Sequence, residues 1–420
     1  MRSTSRQSSP LTLRALISRS WEWNLARLGV VTLALVMFAG GCDSTGDDAP
    51  STSVTPSDGE RTAILISMRQ HVLVPLTQSF LIEGQALSDA IERRDLDESR
   101  AAWRVAMRAW HRLEMIQVGP AGVAGSRLGG ADLRDHIYSF PLSSACRVEQ
   151  EWLAQEFGAE TWADEAPYQV KGLDALEHLL FKEGVEPACP AQAQIVRDNL
   201  WDAFVMGSDV YEEARWAYAS AVMADVVRRA QSLADEWRGS FGDTFERAES
   251  PFSAERDAVD QLFAAIFYLD LSVKDRKIGG PVGLHMTCLE ETCPELIEHK
   301  ASGFGRAALI ANLEGFLAVM RGSASDDEDR AEMTSSPFGL SALLAQEGAT
   351  EAADELERLA RDAIAQLEAS ELTLNELLER DPEMLRQVYA TTREMAELLK
   401  TQVVTTLNLS VPQEGAGDND

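Results

Sequence analysis

Residues 102–120 read AWRVAMRAWHRLEMIQVGP. Trp103, Met107, Trp110 and Glu114 fall at i, i+4, i+7 and i+11, so they share one helical face. Two tryptophans and a methionine on one stripe predict a helix packed into a core. Glu114 extends that stripe. A carboxylate there is costly unless it is hydrogen-bonded, salt-bridged or bound to a metal. Gly119 and Pro120 follow closely, which equally suits an acid standing where the stripe meets solvent.

The same period continues on both sides, and β-branched alternation is nearly absent. Residues 61–95 carry Ile64, Ile66, Met68, Val72, Leu76, Phe80, Leu87 and Ile91, with a break expected near Pro75. Helical stretches follow at 145–157, 167–183 and 190–238, the last broken near Gly207. Ser240 to Pro251 is polar and punctuated by glycine and proline, which predicts a domain boundary. Helical stretches resume at 252–277, 300–321, 338–371 and 376–406. Gly279 to Pro294 reads as irregular, and Ser323 to Pro337 as an acidic loop. The expected fold class is all-α, two helical bundles with residues 61–240 in the first and 241–410 in the second. A polar tail, 411–420, closes the chain.

The N-terminus reads as a targeting segment. Residues 1–27 hold five arginines and a single acid, Glu22. The apolar run Leu28–Phe38 is too short to span a bilayer, which needs about 20 residues. Ala39-Gly40-Gly41-Cys42 then resembles the lipobox of bacterial lipoproteins. Residues 1–41 are therefore expected to be a cleaved lipoprotein signal peptide and Cys42 the lipidated residue. Residues 42–60 (CDSTGDDAPSTSVTPSDGE) have nothing to bury and predict a flexible tether. The expected location is the cell envelope, with the chain lipid-anchored and facing the periplasm or the cell exterior.

The 420-residue chain has a formal charge of −30. Such a surface repels nucleic acid and attracts cations. Besides Cys42 there are Cys146, Cys189, Cys288 and Cys293. An even number in an exported chain predicts two disulfides, Cys146–Cys189 and Cys288–Cys293. A zinc site would need other spacings. There is no HExxH, no G-x-S-x-G and no Gly-rich phosphate loop, so no hydrolase or nucleotide signature stands out.

A second stretch invites chemistry. In KGLDALEHLLF, residues 171–181, Leu173, Leu176, Leu179 and Leu180 form one face. Asp174, Glu177 and His178 form another, at i, i+3 and i+4. Two carboxylates and an imidazole on one stripe can bind iron, manganese or zinc. A solvated polar face is the competing reading.

Taken in order, these stretches resemble the imelysin family. The landmarks are HVLVPLTQSF, then AWRVAMRAWHRLEMIQVGP, HIYSFPLSSACRVEQ, KGLDALEHLLF and KIGGPVG, spread over residues 62 to 405. The resemblance implies two helical bundles with a site in the groove between them. It also implies kinship with the helical domain of periplasmic iron-uptake lipoproteins. The family's motif glycine, histidine and glutamate map onto Gly172, Asp174 and Glu177, and its glutamate in the tryptophan-rich helix onto Glu114. Asp174 thus replaces an imidazole, and His178, one turn on, is the candidate to supply it.

The expected metal ligands are Glu114, Asp174, Glu177 and His178, for a divalent or ferric ion with iron favoured. The expected function is an envelope lipoprotein that binds a metal cation and serves iron uptake. Its expected partners are the membrane, through Cys42, and an iron-transport or other envelope protein. A peptidase-family homologue acting as a non-catalytic binding module is the alternative. The family's name invokes peptidases, but no complete catalytic set is seen and a non-enzyme is favoured.

Overall fold

The structure, a computed structural model, describes residues 58–125, 127–325 and 337–409. The leader, Cys42, most of the tether, the tail and most of the acidic loop lie outside them. Among the described residues every regular element is a helix.

Helix α1 (Asp58–Ser67) runs through a π-helical turn, Met68–Leu73, into α2 (Val74–Glu92). The irregularity expected at Pro75 therefore falls just before it, and Pro75 sits in the first turn of α2, where its missing N–H costs nothing. Helix α3 (Leu96–Glu114) is capped by Asp95, whose carboxylate accepts from the amides of Asp97 and Glu98. Acids in its first turn and His111 and Arg112 in its last complement the helix dipole. Trp103, Met107, Trp110 and Glu114 are all buried, as their shared face predicted.

The short α4 (Leu133–Ile137) and α5 (Ala145–Ala154) lead to α6 (Gly172–Phe181). The long stretch expected over 190–238 does break at Gly207, and α7 (Ser208–Arg238) follows it. At 31 residues, α7 spans about 46 Å. It packs along α2 and α6, while α2 packs on α3. These four helices form the first bundle.

Helix α8 (Glu255–Ile266) leads into a second π-helical segment, Leu269–Gly279. Then come α9 (Gly305–Arg321), α10 (Thr350–Glu368) and α11 (Pro382–Leu398). In this second bundle α10 packs on both α9 and α11, and α11 packs on the π-helical segment. The two disulfides join Cys146 to Cys189 and Cys288 to Cys293, the pairs expected from the sequence.

The bundles share a continuous apolar core, and their main contact is α3 against α9. Gly315 makes that contact close. A Cβ there would lie 2.2 Å from the carbonyl oxygen of Arg112, so any larger residue would hold the helices apart. The last turn of α3 is thereby pressed against the second bundle, and that turn carries His111 and Glu114.

Candidate functional site

Six segments meet where α3 ends. Helix α3 supplies His111 and Glu114, the stretch after α4 supplies Tyr138 and Ser139, and α6 supplies Asp174 and Glu177. The second bundle adds Lys277 from the π-helical segment, Glu298 and His299 from a turn, and Asn312 from α9. His111, Glu114, Lys277, Glu298 and His299 are all at most 5% exposed. Burying this many charges seldom stabilises a fold relative to apolar packing, and removing one partner of such a pair costs about 3–5 kcal/mol. Full burial of Trp103 or Trp110 gives roughly 2–3 kcal/mol with no such risk. The cluster is therefore better explained by function than by stability.

The hydrogen bonds form a chain. His111 Nδ1 is 2.9 Å from Glu114 Oε2. His111 Nε2 is 2.8 Å from His299 Nε2, and His299 Nδ1 is 2.7 Å from Glu177 Oε2. The pattern assigns the protons. His111 is neutral and donates from Nδ1 to Glu114. His299 is an imidazolium, donating from Nδ1 to Glu177 and from Nε2 to His111. Burial drives the His111 imidazole down to about 4, helped by the ammonium of Lys277. Burial also opposes charge on His299, but Glu177 overcomes it and raises its pKa above the ordinary value.

Lys277 Nζ lies 2.8 Å from Glu114 Oε2, 3.0 Å from Asn312 Oδ1 and 3.0 Å from Glu298 Oε1. Arg134 donates to Glu114 Oε1 at 3.0 Å. Burial pushes both glutamates up, yet Lys277 holds both below the usual carboxylate range. Three anions, Glu114, Glu177 and Glu298, thus face three cations, Lys277, Arg134 and His299. The Tyr138 hydroxyl donates to Glu298 Oε1 at 2.5 Å. Glu298 Oε2 is buried and has no hydrogen-bond partner, which is costly for a carboxylate oxygen unless something else binds it.

His111, Glu298 and His299 each offer one donor atom, and these atoms lie within 4.8 Å of one another. His299 holds a left-handed backbone, φ 57°. That conformation is uncommon for a residue with a side chain, and it is retained here at the centre of the cluster. Gly172 shows the same hand for a steric reason. Its φ is 78°, and a Cβ would sit 2.7 Å from the carbonyl oxygen of Ile137. Only glycine lets α6 start this close to the end of α4.

The four residues expected as metal ligands take different places. Glu114 and Glu177 are in the cluster, each accepting a hydrogen bond from a histidine. Asp174 is half-buried on its edge, where its Oδ2 accepts from the amide of Ser139 at 2.5 Å. Burial raises its carboxyl to about 7. His178 is not brought to the histidine pair; its Nε2 lies 3.2 Å from Glu149 Oε1, which Lys182 also meets. His111, Lys277, Glu298 and His299 were not singled out from the sequence. His111 did carry a signal, since it lies four residues after Met107 and three before Glu114 on the buried side of α3.

A cavity of about 750 Å³ opens beside the cluster, with Asp174, Glu177, Glu298 and His299 in its wall. A second, of about 740 Å³, adjoins it, and both are lined by Arg134, Asp135, Arg276 and Thr287.

Comparison with known proteins places this geometry in context. The profile of the family described as imelysin matches residues 71–402. An imelysin-like protein from Psychrobacter arcticum 273-4 superposes with a TM-score of 0.64 at 17% identity, covering 86% of this chain and 99% of that one. An iron-regulated protein A precursor from Parabacteroides distasonis ATCC 8503 does so with the same TM-score and identity, covering 85% of this chain and 97% of that one. No curated protein matches the chain.

Proposed function

Because the chain belongs to the imelysin family, we propose that it binds a metal cation, with iron favoured, at His111, Glu298 and His299. We read it as a lipid-anchored envelope protein serving iron uptake. One observation carries the metal reading. Each histidine has its Nδ1 held by a buried carboxylate, so that the two Nε2 atoms converge at 2.8 Å near Glu298. A carboxylate behind each imidazole fixes its tautomer and aim, which is the usual support of metal-ligating histidines.

The donor chemistry fits. Two imidazole nitrogens and a carboxylate oxygen suit iron, manganese or zinc. The spacing of the Nε2 atoms is close to the roughly 2.9 Å expected of two nitrogens at right angles on one ion, for bonds of about 2.05 Å. A carboxylate oxygen of Glu298 supplies a third contact. Binding requires the Nε2 proton of His299 to leave, so an incoming cation replaces a positive charge already present. Glu114 and Glu177 then act as positioning residues, and Asp174 lies on the approach from the cavity. The iron link is supported by the name of the Parabacteroides relative. The envelope reading rests on the lipobox at Cys42. No helix among the described residues is long and apolar enough to cross a membrane.

Metal content tests the reading. The full chain, purified in detergent, should carry or take up about one equivalent of iron, manganese or zinc by inductively coupled plasma mass spectrometry. His299→Ala should lose it. Wild-type protein that stays empty after metal is added would sink the proposal and favour a non-catalytic binding module.

A further inference from the structure

The cavity beside the donor cluster is much larger than a bare ion needs. An ion with six waters fills about 200 Å³, at about 30 Å³ per water. The cavity holds about 750 Å³, within the range of small-molecule sites. Its outer wall mixes apolar surface from Phe140, Leu142 and Leu296 with two cations, Arg276 and Lys300.

Those cations are unusual in this chain. Among the described residues most arginines and lysines meet a carboxylate or a carbonyl. The Arg276 guanidinium and the Lys300 ammonium meet no acceptor, and both residues are exposed. Each directly adjoins a member of the buried cluster in sequence. Arg276 precedes Lys277 in the π-helical segment, and Lys300 follows His299 in its turn. The same backbone thus sends one residue inward to the donors and its neighbour outward to the cavity. The other charged groups in this wall are mostly matched. Asp135 pairs with Arg134, Glu177 with His299, His178 with Glu149 and Glu298 with Lys277. Glu295, exposed at the rim, and Asp174, which accepts only from Ser139, are the acids without a cationic partner.

We propose that this cavity receives the metal as an anionic chelate, a complex with a small polycarboxylate, whose free carboxylates meet Arg276 and Lys300. The inference rests on the metal reading above and names the form in which the ion arrives. A chain of charge −30 repels anions at large. Arg276 and Lys300, which no carboxylate neutralises, offset that repulsion at the outer wall, where low-dielectric surroundings strengthen the field. Arginine adds a planar fork that fits a carboxylate. The apolar wall covers the carbon skeleton of the chelator. Iron(III) in neutral water persists mainly as complexes with oxygen-donor chelators, so the size of the cavity and its two free cations suit the form available.

Calorimetric titration of the full chain in detergent tests this, with ferric citrate and manganese(II) chloride as the two probes. Arg276→Ala combined with Lys300→Ala should weaken ferric citrate at least tenfold and leave manganese within twofold. Arg276→Lys in the presence of Lys300 should keep most of the ferric citrate affinity. Both side chains are exposed, so circular dichroism and melting should match wild type. Unchanged ferric citrate binding in the double variant would overturn the proposal. So would citrate stripping the ion so that only bare metal binds. His299→Ala that keeps full manganese binding would instead overturn the metal reading itself, as would wild-type protein that binds neither probe.

Discussion

Asp174 stands where the family resemblance calls for a histidine, and its ionisation leaves a measurable trace. Its carboxyl titrates at about 7 in the folded chain against 3.8 ordinarily, because burial disfavours the charge. The folded state therefore holds this proton more tightly than the unfolded state does. Stability contributed by Asp174 is full below about pH 4 and is lost as pH rises towards 7. Asparagine stays neutral throughout. In urea unfolding with EDTA present, Asp174→Asn should gain about 2 kcal/mol on wild type between pH 5 and pH 8, allowing for the partial exposure of Asp174. An equal difference at both pH values would contradict this. At this scale the sequence was legible where a helical period framed the residue. Glu114 stood out on an apolar stripe, and Asp174 and Glu177 on a polar one. Glu298 and His299 lie in a turn, where no period marks them, and the left-handed backbone of His299 has no compositional cue. Lys277 opens the landmark KIGGPVG, yet its burial was not foreseen, since lysine is so seldom buried that its presence reads as surface.

Helix α3 holds the site at one end and its cap at the other. Asp95 and Glu114 are separated by about 28 Å of helix. Asp95→Ala should therefore cost about 1 kcal/mol in urea unfolding while metal stoichiometry stays at the wild-type value. A loss of metal in that variant would mean that the cluster is far more sensitive to fraying than its packing suggests. Most helices were legible, because apolar residues recur at their period and caps and glycines end them. The stretch expected over 338–371 divides into Leu340–Gln346 and α10, with Gly348 in the gap. The expected loop over 240–251 contains a short helix, Ser240–Glu246. None of the three π-helical segments among the described residues, Met68–Leu73, Leu269–Gly279 and Leu399–Val403, was foreseen. A π-helical turn carries no compositional mark, and in the first helix Pro75 attracted the break instead.

Two disulfides constrain the molecule unequally. Cys146–Cys189 spans 43 positions and Cys288–Cys293 spans 5. By loop entropy, opening the first should cost about 4 kcal/mol and the second about 2 kcal/mol. Paired Cys→Ser variants compared by urea unfolding should preserve that order, and the reverse order would show that native contacts outweigh the loop term. The all-α architecture was legible from period alone. How the bundles dock was not, since α1 packs on α8 and α3 on α9. Contacts between segments so distant in sequence leave no local pattern, apart from Gly315 once its neighbour is known.

That docking decides when the donors come into being. His111 is 188 residues from its partner His299, and Lys277 is 163 from Glu114. In an extended chain these groups are isolated side chains with the weak metal affinity of any histidine or glutamate. They converge only when α9 has closed on α3. On the metal reading proposed above, an unfolded chain would pass through metal-rich surroundings without loading. On that reading, the ion would be drawn from the compartment in which the chain folds.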